Sequence, residues 1–184
     1  MELSDELKRN LLKLARKTIE QELFGKSDIA PDLDFPELQK VAGVFVTLHK
    51  KGNLRGCIGN IVGRAPLKDT VKNMAVAAAF QDPRFPSLSK DEYEEIDLEI
   101  TVLSEPKPAK AEEIQEGRHG VVLTRDGKQG TYLPQVWDQL PEKTVFLSSL
   151  CMKAGMEKDC WTDPNTRIQT YEGIDFSEKD LGMK

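Results

Sequence analysis

The chain has 184 residues, 39% of them hydrophobic, enough to bury a core without a disulfide or a metal to complete it. Its 31 acidic residues outnumber its 26 lysines and arginines, leaving a net charge of −5. That balance argues against a general nucleic-acid binder, which needs a strongly basic face. Uncharged runs such as 41–49 and 73–81 are about half the length of a membrane span. The stretch MELSDELKRN is charged and lacks the apolar segment of a secretory signal. Cys57, Cys151 and Cys160 are an odd set with no CxxC spacing, which suits free thiols in a reducing compartment. A soluble, cytoplasmic protein without a membrane partner is expected.

Residues 4–24 read as a helix, with Leu7, Leu11, Leu14 and Ala15 at helical spacing, Ser4 as its cap and Gly25 as its stop. Acidic Glu2, Asp5 and Glu6 precede basic Lys8, Arg9, Lys13, Arg16 and Lys17, an order that complements the helix dipole. These cations form either a solvated face or a basic binding stripe. Residues 28–36 read as a proline-punctuated loop. From 41 to 49 the pattern alternates, with Val44, Val46 and Leu48 opposite Phe45, Thr47 and His49. The turn at 50–53 then predicts a hairpin with a strand over 54–58. Pro66 opens a helix to about Gln81, rich in alanines that permit close packing on a sheet.

Ser89 and Glu92 have the spacing of a capping box. Residues 96–103 alternate cleanly as a strand, 105–108 read as a linker, and 112–117 as a helical turn. Two short strands flank Asp126-Gly127, a hairpin tip. Helical patterns follow at 134–140 and 144–154, the second closed by Gly155, and 167–174 reads as a last strand. Helices and antiparallel hairpins intermix without strict alternation, so the fold class expected is α+β.

The chemistry-bearing stretch is Leu54-Arg55-Gly56-Cys57-Ile58-Gly59. On a regular strand Arg55 and Cys57 share one face, while Leu54 and Ile58 point into the other layer. A guanidinium beside a thiol favours the nucleophilic thiolate. Glycine inside a strand marks close approach by a backbone or a ligand, so Gly56 and Gly59 join the candidate site. The same hexapeptide also fits a buried structural cysteine. A cysteine nucleophile needs a base. The chain offers two histidines: His49, in the same hairpin, and His119, at the entrance to a later strand. Asp82, Glu99 and Glu172 are candidate carboxylates, with Glu99 mid-strand and opposite the apolar face. Arg84 can pair with Asp82 or present a cation to a small anionic ligand. Gln135 can line a pocket beside Trp137, itself suited to the core. Neither metal-ligand spacing nor a glycine-rich nucleotide loop occurs, so no metal and no cofactor are expected. Two readings stay open: an enzyme with Cys57 as nucleophile and His119 as base, and a non-catalytic binding module.

The hexapeptide at 54–59, with 43–48, Asp82-Pro83-Arg84-Phe85, 98–105, 120–123, 130–137 and Lys153-Ala154-Gly155, resembles the AMMECR domain family, also called protein A of the AmmeMemoRadiSam system. The likeness spans nearly the whole chain. It implies a single AMMECR-like domain over 1–184 with two lobes. The larger, drawn from the N- and C-terminal parts, would be an antiparallel sheet flanked by helices; the hexapeptide would lie in a groove near the smaller second lobe. It further implies Memo-like and radical-SAM proteins as partners. The site it carries over is Arg55, Gly56, Cys57 and Gly59, with Asp82, Arg84, His119 and Gln135 as neighbours.

Overall fold

The first helix forms because one stripe of its surface can be buried along its whole length. In the computed structural model, which describes residues 3–25 and 35–184, α1 runs Asp5–Phe24. The Ser4 side chain accepts the Leu7 N–H, and Gly25 closes the helix in the left-handed conformation, φ 67°. Leu7, Leu11, Leu12, Leu14, Ala15 and Ile19 are all buried, each leucine contributing about 1.5–3 kcal/mol. The loop expected at 28–36 lies, up to residue 34, outside the described residues; Pro36–Gln39 is a short 3-10 helix.

Strands β1 (Gly43–Lys50) and β2 (Asn53–Asn60) form the expected hairpin, and β3 (Ile96–Leu103) pairs with the other side of β1. All pairings are antiparallel, in the order β2-β1-β3. Val44, Val46 and Leu48 turn one face of this sheet toward α1 and α2 (Leu67–Phe80), where they are fully buried with Leu98 and Ile100. The other face carries Phe45, Thr47 and His49, all half-buried. Pro66 stands just before α2, as its missing N–H permits.

One departure from regular alternation matters. Leu48 faces Gly56, but His49 faces Leu54, so Arg55 is the extra residue of a β-bulge. Leu54 is thereby turned onto the polar face and is 43% exposed instead of entering the apolar layer. Ile58, beyond the bulge, packs against the core as expected. At Gly56 the α2 backbone takes the room a side chain would need: an added Cβ would stand 2.2 Å from the Ala78 carbonyl oxygen.

The chain divides into two compact units, Met1–Leu103 with Ile174–Lys184, and Ser104–Gly173. In the second, β5 (His119–Arg125) lies between β6 (Lys128–Tyr132) and the start of β7 (Arg167–Ser177). The linker expected at 105–108 instead supplies β4 (Lys107–Pro108), paired to β7. The pattern at 134–140 forms a 3-10 helix, Pro134–Asp138, and α3 runs Lys143–Lys153. Trp137 stacks on Phe146 at 3.7 Å between ring centroids, inside a separate apolar core. Ile174–Ser177, the far end of β7, belongs to the first unit, where Phe176 enters the core. The fold is α+β. No helix among the described residues is long and apolar enough to cross a membrane.

The cysteines correct the expectation of three free thiols. Cys151 and Cys160 form a disulfide, and only Cys57 is free. The chain folds back after α3 through Gly155, which brings two residues nine apart into the same core; no short-spacing rule anticipates that.

Three outcomes follow from these contacts. Gly56→Ala should lower unfolding stability by about 1–3 kcal/mol, because the blocking atom is helix backbone and cannot swing aside; urea denaturation measures it. Cys151→Ser should cost about 2–3 kcal/mol, the loop-closure value for so short a loop. Alkylation of the denatured, unreduced chain followed by mass spectrometry should add a single label, at Cys57.

Candidate functional site

Cys57 sits on β2 opposite Thr47, and Thr47 sits opposite Glu99 on β3. Directly opposed residues of an antiparallel pair share a face. The thiol, the hydroxyl and the carboxyl therefore form one row across the polar face, with the outer two about 9–10 Å apart at the backbone. The Thr47 hydroxyl donates to Cys57 Sγ at 3.3 Å. His49 faces Asp97 one step along the same face. Burial pushes the Glu99 carboxyl above the ordinary glutamate range, the largest effect, partly opposed by His49. Asp97 is raised as well, by burial first and then by Glu178.

β2 is the outer strand of β2-β1-β3, so the backbone groups on its open side need partners from elsewhere. At Cys57 two side chains from the turn after α2 supply them. Asp82 accepts the Cys57 N–H at 2.9 Å, and Arg84 Nη2 donates to the Cys57 carbonyl oxygen at 3.2 Å. Asp82 also accepts from Arg84 N at 3.1 Å, Nε at 3.0 Å and Nη2 at 2.7 Å. The carboxylate is thus saturated, and its side chain is 1% exposed. These bonds, led by the one from Arg84, hold Asp82 far below the usual carboxylate range against the opposing cost of burial. The Arg84 side chain remains 55% exposed, its guanidinium 5.5 Å from the centre of the Phe85 ring.

Arg55 has a different place from the one expected beside the sulfur. Displaced by the bulge, it makes a two-pronged ion pair with Glu92, through Nε at 3.0 Å and Nη2 at 2.9 Å, and Nη2 also reaches the Pro86 carbonyl. Its charge is met by Glu92, which Arg55 in turn holds well below the normal glutamate range. The guanidinium bound at Cys57 is that of Arg84. Likewise, the close approaches at the two glycines are made by the chain itself: the Ala78 backbone at Gly56, and the Phe45 ring with the Val44 carbonyl at Gly59.

His119 and Gln135 belong to the second unit. His119 Nδ1 accepts the Gln115 N–H at 3.1 Å, while Nε2 lies 4.0 Å from Glu172, itself paired with Arg118. Burial, outweighing Glu172, keeps His119 below its ordinary range and so favours neutral imidazole. Trp137 Nε1 donates to the His119 carbonyl at 2.7 Å, and Gln135 Oε1 is buried without a partner among the described residues. No cluster of three or more histidine, cysteine or acidic side chains suited to a metal occurs among the described residues. Sequence reasoning missed Thr47 and Glu92. Thr47 follows from counting the hairpin register back from its turn; Glu92, thirty-seven residues from Arg55, had no local signal beyond its capping pattern.

Comparisons with other proteins agree with this architecture. A protein from Methanothermobacter thermautotrophicus is 40% identical over 189 residues, which cover 96% of each chain. Protein NEQ441 of Nanoarchaeum equitans is 40% identical over 182 residues, 92% of this chain and 99% of its own. The crystal structure of the uncharacterized protein PH0010 from Pyrococcus horikoshii is similar with a TM-score of 0.87 and 33% identity, covering 97% of this chain and 95% of that one. Residues 12–176 match the family model AMMECR1, and the chain belongs to the AMMECR1 family.

Proposed function

We propose that the protein is a cysteine-dependent enzyme acting on a small anionic substrate, with Cys57 as nucleophile. The observation that carries this reading is the row Cys57–Thr47–Glu99 on one sheet face, with a hydroxyl donating to the sulfur. A hydrogen bond donated to sulfur favours the charged, attacking form. The Glu99 carboxyl, raised by burial, is a stronger base than an exposed glutamate. In this reading the thiol proton passes by way of Thr47 to Glu99. The sulfur forms a bond to an electrophilic carbon lying over Thr47, and Glu99 returns the proton to the group that leaves. Arg84, exposed but anchored through Asp82, holds the anionic part of the substrate.

A second reading is a binding module whose partners are Memo-like or radical-SAM proteins. It is supported by the exposure of the Arg84 guanidinium beside an otherwise saturated Asp82. Binding of such a partner that survives Cys57→Ser and is lost in Arg84→Ala favours this reading over the enzymatic one.

Iodoacetamide should alkylate Cys57 at neutral pH about tenfold faster than free cysteine. Thr47→Val should slow this several-fold, and Cys57→Ser should remove it; a rate no higher than that of free cysteine sinks the nucleophile. Glu99→Gln should shift the pH profile of the reaction. An unchanged profile removes Glu99 as the base.

The Asp82 carboxylate should also govern acid stability. Its folded pKa is depressed, so the unfolded chain binds more protons as pH falls. The stabilisation is complete above the unfolded carboxylate value, about pH 4, and is lost progressively below it. Asp82→Asn should flatten that acid limb and lower stability at pH 7 by about 1–3 kcal/mol, measured by urea denaturation across pH.

A further inference from the structure

The basic residues of α1 do not all face open water. Lys13, Arg16 and Lys17 line, with Lys184, a cavity of about 400 Å³ in the first unit, a volume within the range of small-molecule sites. Tyr93 supplies an aromatic wall. The carboxylates among the lining side chains are Glu20 and Glu94, so cations prevail here although the chain is acidic overall.

A second observation shows that this positive charge is incompletely answered. Arg16 Nη2 and Lys184 Nζ converge on the same acceptor, the Ile96 carbonyl oxygen, at 2.9 and 2.6 Å. Arg16 is balanced by the Glu178 carboxylate, with which it forms a two-pronged pair. Lys184 has neutral partners, the Ile96 oxygen and the Glu94 carbonyl oxygen at 2.9 Å, and among the described residues it makes no ion pair. Desolvation and then the Arg16 charge disfavour its ammonium form, against smaller opposing effects of Glu178, Glu94 and Asp97. An ammonium has three donors, so one remains for a ligand. Lys13, exposed on α1 one turn before Arg16 and Lys17, also makes no ion pair among the described residues.

We infer that this cavity binds the phosphate group of a small organic phosphate monoester. The unanswered charges are two ammonium groups lining one cavity, point charges that suit a tetrahedral anion with acceptors in several directions. A planar carboxylate favours a guanidinium fork, and the fork of Arg16 is already engaged by Glu178. The space beside Tyr93 accommodates the organic part. None of these residues belongs to the Cys57 site.

The test is calorimetric titration of the full, untagged chain with phenyl phosphate, inorganic phosphate and benzoate. Phenyl phosphate should saturate one site per chain, with inorganic phosphate and benzoate each about tenfold weaker or more. Lys13→Glu, on an exposed helix position, and Lys184→Gln should each weaken phenyl phosphate about tenfold, with circular dichroism unchanged. Failure to saturate below about 10 mM, equal affinity for benzoate or bare phosphate, or unchanged affinity in Lys13→Glu overturns the inference. These readouts involve no Cys57 chemistry.

Discussion

The arrangement around Cys57 depends on one buried carboxylate. Asp82 lies just past the cap of α2 and has every acceptor position used, by the Cys57 amide and by three groups of Arg84. Asp82 and Arg84 together bond the N–H and the C=O of a single β2 residue, as a neighbouring strand would. An edge strand left with bare polar groups invites pairing with another chain. Here that edge is closed at Cys57 by two side chains, while the sulfur itself remains on the polar face of the sheet.

The division of labour between the two arginines follows from the bulge. A regular β2 would place Arg55 and Cys57 on one face, two positive side chains would crowd the thiol, and Leu54 would enter the apolar layer. The extra residue lets Arg55 pair with Glu92, where it ties the strand to the segment leading into β3. The charge beside Cys57 then comes from Arg84, whose position is fixed by a short turn. Close contact of Gly56 with the α2 backbone completes the positioning, since helix and strand approach more closely there than any side chain permits.

Much of the architecture was legible in the sequence because it rests on local periodicity. The stripe of α1, the alternation of β1 and β3, and the Asp126-Gly127 hairpin tip need little knowledge of distant contacts. Cys57, Asp82 and Arg84 were legible as residues, and the Asp82–Arg84 pair as a short-range contact. The bulge was not, because an inserted residue leaves the composition of a strand unchanged while reversing the faces on one side of it. The same holds for Arg55–Glu92 and for the Cys151–Cys160 bond, whose partners meet only after the chain has folded back. Thr47 stood in plain view on the polar side of β1, but its meaning depended on which residue faced it.

The path of β7 carries a consequence for synthesis. The chain leaves the first unit after Leu103 and re-enters it at Ile174. Phe176, which fills the first core, and Glu178, which binds both Arg16 and the Leu98 N–H, are therefore made after every residue of the second unit. On the ribosome the residues that close the first core are the last of the two units to be made.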